Sequence, residues 1–162
     1  MPTARYMKYL FLFLCCIAAL SACDDDTKVC DQDTRTSANI RFRYPVPGNP
    51  TQNKDTVLPK VTVFALNKDS LIRKRTGLSG MQLPLDLHND TSRFYFQTDS
   101  TAKADTLTFA YKRQPHFVSA GCGVVMYFNI DSAWSTKNVV KSVQLNAKNI
   151  TTINEIHIIL HF

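Results

Sequence analysis

From Ile40 to Phe162 the apolar residues of this chain recur at every second position. Ile40, Phe42, Tyr44 and Val46 alternate with Arg41 and Arg43, and Ile156, Ile158, Leu160 and Phe162 close the chain in the same rhythm. A period of two places successive side chains on opposite faces of an extended strand, whereas a helix needs an apolar stripe every three to four residues. No stretch carries such a stripe, so helical folds are excluded first. The same alternation appears at Val57 to Leu66, Met81 to Leu87, Arg93 to Gln97, Thr106 to Lys112, Phe117 to Ile130 and Val139 to Ala147, with Leu71 to Lys74 as a short strand. Turn signals separate them: Pro45, Pro47, Gly48, Asn49 and Pro50 read as a loop, Asn67 to Ser70 as a turn, and Gly77 and Gly80 bracket another. Pro84 argues for an edge strand or bulge, and Gly121 and Gly123 for a kink within the strand around Cys122. Eight or nine strands with one apolar face each predict an all-β fold, an antiparallel two-sheet β-sandwich of loosely immunoglobulin-like kind. A small β-barrel is the lesser alternative, suggested by the terminal Phe162 on an alternating strand.

The first residues follow a different logic. Arg5 and Lys8 precede an apolar run from Tyr9 to Leu20, and Ser21 and Ala22 precede Cys23. A run this short is under the roughly 20 residues a membrane span needs. It reads as a secretory signal whose apolar–small–small–Cys ending is the pattern of bacterial lipoprotein processing. A thiol is required there because the diacylglyceryl group is attached to sulfur. The expected organisation is a signal peptide at 1–22, a lipidated N-terminus and acidic tether at 23–37, and a β-sandwich domain at 38–162. Of the five cysteines, Cys15 and Cys16 leave with the signal and Cys23 takes lipid. Cys30 and Cys122 remain, and in an oxidising compartment such a pair is expected to form a disulfide. A metal site is the weaker reading, because no His or carboxylate cluster completes two thiols. Asp24, Asp25, Asp26, Asp31 and Asp33 make the tether acidic, while from Thr34 onward 16 Lys/Arg stand against 8 Asp/Glu. A basic body suits anionic partners such as lipid A phosphates or acidic glycans, but apart from Arg73-Lys74-Arg75 and Lys112-Arg113 the basic residues are spread out, so a solvated strand face is the first expectation.

Catalytic chemistry has little to work with. Glu155 is the one Glu in the chain. His157 and His161 share a strand face at roughly 13 Å, too far apart for one ion, and are expected to be polar positions facing solvent. Gly121-Cys122-Gly123 has no base beside it, and no phosphate loop or Ser-centred nucleophile motif occurs. No catalytic residue, metal or cofactor is assigned. One pattern recurs: Asp, then Ser or Thr, then an aliphatic residue or Thr. It places Thr56, Ser70, Ser100, Thr106 and Ser132 after Asp55, Asp69, Asp99, Asp105 and Asp131, where composition alone predicts about one match. The pattern resembles the O-glycosylation sequence of Bacteroidota envelope proteins. Asp-Thr is equally a natural turn exit into a strand.

The Cys23…Cys30 start, Leu83-Pro84-Leu85, Asp105-Thr106-Leu107 with Tyr111, and Val118-Ser119 leading to Cys122-Gly123 together resemble a family of small Bacteroidales lipoproteins, grouped as a domain of unknown function. That resemblance implies an envelope lipoprotein and supports the Cys30–Cys122 pairing; it supplies no activity. The acidic run after Cys23 is similar to the signal that sends Bacteroidota lipoproteins to the outer face of the outer membrane, so that face is favoured over the periplasmic one. The expected function is a non-enzymatic interaction or accessory module. It would be held to the membrane by lipid on Cys23, with an envelope protein as partner and no nucleic acid. The alternative is a glycan- or lipid-binding sandwich using aromatics such as Trp134 and Tyr127. A hydrolase, which needs a cleft uniting His116 with distant Asp residues, is the weakest class.

Overall fold

The computed structural model describes residues 30–66, 70–99 and 101–162. Among them the chain is all β, with no helix and two sheets packed face to face. The eleven strands are β1 (Ala38–Val46), β2 (Asn49–Asp55), β3 (Val61–Ala65), β4 (Ser70–Arg75), β5 (Gly80–Leu83), β6 (Thr91–Gln97), β7 (Asp105–Ser119), β8 (Gly123–Ser135), β9 (Ser142–Leu145), β10 (Asn149–Ile150) and β11 (Ile158–His161). One sheet runs β2-β1-β11-β9, with β5 also paired to β1; the other runs β10-β8-β7-β6-β3-β4. The β-sandwich expected from the alternation is therefore present.

By contacts the chain divides into two units. The described part of the first is Cys30–Gln32 with Val118–Gly123; the second is Asp33–Phe117 with Val124–Phe162. The second holds the core. Ala38, Ile40 and Phe42 of β1, Leu83 of β5 and Leu160 of β11 meet Val63 of β3, Phe94 and Phe96 of β6, Leu107 and Phe109 of β7, and Ile130 of β8. Phe42, Phe96 and Phe162 form an aromatic triad with ring centroids 5.9–6.1 Å apart. Each of these residues occupies the apolar phase of its strand, so the two-residue period accounts directly for the core.

Several details depart from the sequence reading. The stretch around Cys122 is no kink in one strand: β7 ends at Ser119, residues 120–122 turn, and β8 begins at Gly123, whose φ of 71° suits glycine. Asn49 and Pro50, expected as loop, open the strand Asn49–Asp55, which pairs with β1 at the sheet edge, held by Arg41 and Arg43 on the Asp55 carboxylate at 3.1 and 2.9 Å. An edge strand needs only one hydrogen-bonded neighbour, which a polar sequence supplies as well as an apolar one. Pro84 follows the end of β5, which pairs only with β1 among the described strands, so of the two readings at Pro84 the edge strand holds and the bulge does not. The first and last strands, β1 and β11, pair in parallel, Ile40 opposite Ile158 and Phe42 opposite Leu160. No hairpin links them, so nothing imposes the antiparallel sense that short connections force.

Candidate functional site

The described part of the first unit holds a covalent link. Cys30 and Cys122 are joined by a disulfide with Cα atoms 4.7 Å apart, and the Cys122 N–H donates to Ser119 Oγ at 3.1 Å. The bond closes a loop spanning 92 positions. Cys23, the expected lipid carrier, lies outside the described residues.

Within the second unit, the arm of β7 that leads to that turn loses its cover, while on β8 Val125 stays buried next to the exposed Val124. The buried row of β7 ends at Tyr111, and Gln114, Pro115, His116 and Phe117 are exposed. Phe117 is 65% exposed and Val124 63%, about as exposed as Ile153 and Val57 elsewhere in the described residues. His116 and Tyr127 stack at 4.6 Å with nearly parallel rings. His116 was the histidine a hydrolase would have used; it is packed on an aromatic ring.

Tyr111 anchors the segment between β5 and β6. Its hydroxyl donates to the Asp86 carbonyl at 3.1 Å, accepts from the Asp86 N–H at 2.9 Å, and lies 2.7 Å from Ser92 Oγ. Burial pushes the phenol up, against the Ser92 hydrogen bond. The Asp86 carboxylate accepts from the His88 N–H at 2.8 Å, which places His88 in a tight surface turn. Arg113 closes the segment, donating to Asp90 at 2.6 Å and to the Leu87 carbonyl at 3.0 Å.

Asp105 is a buried carboxylate with four donors. Oδ1 accepts from Thr136 Oγ1 at 2.8 Å and the Asn138 N–H at 2.7 Å; Oδ2 accepts from the N–H groups of Val139 and Val140 at 2.7 and 2.9 Å. Lys137 adopts a φ of 60°, which turns the following amides inward to form an anion-holding concavity. Burial alone would raise the carboxyl, but the four hydrogen bonds outweigh it and hold the group below the usual range. The Asp of one Asp-Thr motif therefore organises the 136–140 loop. Thr106 sits inside the sheet, its N–H donating to Thr136 Oγ1 at 3.0 Å. Thr56 is half-buried beside β1, and Ser132 is exposed on β8. Ser100 and the Ser70 side chain lie outside what is described.

His157 corrects an expectation. It does not face solvent; it is fully buried just before β11. Nδ1 accepts the Asn39 N–H at 3.0 Å, and the His157 N–H donates to the Asn39 carbonyl at 2.9 Å. Nδ1 must then carry a lone pair, so the ring is the neutral Nε2–H tautomer. Burial holds its pKa below the usual histidine value, against the pull of the Glu155 carboxylate and a backbone interaction with Asn149. Nε2 finds no hydrogen-bond partner of normal geometry, and neither does Asn39 Oδ1. The alternation misled here because the other face of β11 is also covered: Ile158, Ile159 and Leu160 are all buried. An open cleft of about 560 Å³ lies beside it, lined by Asn39, Arg41, Gln82, Asn154 and Glu155. His161 is apart from His157, bonded to Gln144 at 2.9 Å. Among the described residues no three His, Cys, Asp or Glu gather as metal ligands.

Sequence reasoning brought Cys30 and Cys122 together and missed Asp105, Tyr111 and His157 as polar groups of the interior. The available signal was phase: Tyr111 lies on the apolar row of Leu107 and Phe109, where a hydroxyl must find a partner.

No curated protein matches the chain, and no solved structure matches it. A family model described as a family of unknown function, DUF6452, matches residues 60–162, which takes in β3 to β11 and all three buried polar centres. The chain belongs to that family.

Proposed function

We propose that the protein is a lipid-anchored lipoprotein of the bacterial cell envelope, acting as a non-enzymatic interaction or accessory module. The carrying observation is Leu20-Ser21-Ala22-Cys23 at the end of a short apolar run. The Cys30–Cys122 disulfide supports it, because such bonds persist in oxidising compartments outside the cytoplasm. The acidic Asp24-Asp25-Asp26 that follows favours the outer membrane, and its outer face, in a Bacteroidota cell. The test is metabolic labelling in such a host with an alkyne fatty acid. The wild-type protein takes label and sediments with outer membrane; Cys23→Ala takes none and keeps its signal. Label on the Cys23→Ala protein contradicts the assignment. Protease added to intact cells then separates the two faces.

A second reading, binding of an anionic glycan, is favoured by one surface. On the outer face of the six-stranded sheet Phe64 and Tyr95 stack at 4.5 Å, and Trp134 is 48% exposed on β8. Arg93, on the same face of β6, borders a groove of about 380 Å³ with Leu66, Asn89 and Thr91. Stacking rings and a guanidinium suit a sugar carboxylate or sulfate. A change in Trp134 fluorescence on adding an acidic polysaccharide, lost in Arg93→Ala, is the expected result; no response to any acidic glycan removes the reading.

A further inference from the structure

We infer that Phe117 and Val124 form a membrane-contact surface, seated in the interfacial layer of the same bilayer that holds the lipid on Cys23. The inference deepens the lipoprotein assignment and rests on it. Three observations bear on it. Cys23 precedes Cys30 by seven positions, so fully extended chain allows a reach of at most about 25 Å from the lipid to the disulfide. Cys30 is bonded to Cys122, so the same limit applies to the turn between β7 and β8. Along the chain, Val124 follows Cys122 by two residues and Phe117 precedes it by five, at most about 7 and 18 Å away. The two most exposed large apolar side chains of the β7–β8 arms are thus the ones tied closest to the anchor.

The chemistry of the arms fits a bilayer interface better than bulk water. Phe117 and Val124 sit where a solvated strand end would carry polar groups. His116, next to Phe117 in the chain but on the opposite face of the strand, stacks on Tyr127, a pair of apolar ring bodies with polar edges. Lys112 is exposed on the same strand, and its long stem lets an ammonium reach lipid phosphate from a partly buried position. The diacylglyceryl and N-acyl chains expected on Cys23 anchor stably by themselves, so a second, weak contact sets how the domain is turned against the bilayer. The disulfide fixes which surface supplies that contact.

The test uses the full acylated protein in phospholipid vesicles whose acyl chains are brominated. The sole tryptophan, Trp134, is replaced by Phe, and Phe117→Trp or Val124→Trp supplies the probe. The expected result is roughly twofold or greater quenching at 117 and at 124, at a depth of about 5–10 Å, with little quenching of native Trp134. Two probe positions keep the test decisive if one variant fails to fold. Acylated protein that floats with the vesicles while 117 and 124 are quenched no more than Trp134 overturns the contact and leaves the anchor standing. Protein that carries no acyl chain at Cys23 and does not float overturns the lipoprotein assignment and this inference with it. A photo-crosslinker at position 117 that captures a single envelope protein in cells assigns the surface to that protein, and likewise overturns the inference.

Discussion

Asp105 and His157 are two buried ionisable groups with opposite solutions. Asp105 stays charged because four donors replace its water; His157 stays neutral because Nδ1 faces an N–H that only a lone pair can accept. Removing the Asp105 carboxylate strands the amides of residues 138–140, so Asp105→Ala is predicted to cost about 2–4 kcal/mol in urea unfolding. Because its folded pKa is lowered, its contribution is fully present above the unfolded value of about 3.9 and is lost as pH falls towards the folded one. His157 acts in a different window. Above about pH 6.5 both states are neutral; below it the unfolded chain takes a proton that the folded ring resists, so stability declines as pH drops from about 6.5. Ring nitrogen NMR is expected to show the Nε2–H tautomer persisting at pH 6, and His157→Leu to abolish that step while costing about 1–3 kcal/mol for the stranded Asn39 N–H. An imidazolium at pH 6 contradicts this account. None of this was legible in the alternation, which assigns a face to a residue but not what covers that face.

Among the elements, alternation located nearly every apolar strand, because an apolar row on an extended segment has no other way to be buried. What it left open was where strands stop. Val139 and Val140 were counted with a strand, yet they belong to the loop held on Asp105, and β9 begins only at Ser142. Partners end strands, and partners are distant in sequence. Gly80 shows the same dependence: a Cβ there would run into the Ile40 carbonyl, so β5 lies against β1 only because the side chain is missing. Gly80→Ala is predicted to lose about 1–3 kcal/mol and to raise hydrogen exchange at Gln82 before that of β6 or β7. Tyr111→Phe removes one hydroxyl from both Asp86 and Ser92; the expected loss is about 1–2 kcal/mol, with exchange of the Asp86 amide rising most. Equal exchange across all strands in either variant speaks against these local assignments.

For the whole molecule, the disulfide joins Cys30, ahead of β1, to the turn between the two long strands β7 and β8. The pair was legible because the sequence reading assigns two of the five cysteines to a signal and one to its cut, which leaves Cys30 and Cys122. Breaking the bond in Cys30→Ser/Cys122→Ser should lower stability by about 4–5 kcal/mol on the chain-entropy model. The sheet core holds neither cysteine, so the far-UV spectrum is expected to stay β. The family match covers β3 to β11 and none of the residues before 60, so the anchor must be tested on this chain itself. Intact mass of the protein extracted from its own membranes, before and after reduction, does so most directly. The predicted species begins at Cys23, carries diacylglyceryl and N-acyl chains there, and gains two hydrogens on reduction. A protein that retains Met1, with no acyl mass and two free thiols at Cys30 and Cys122, would contradict the account.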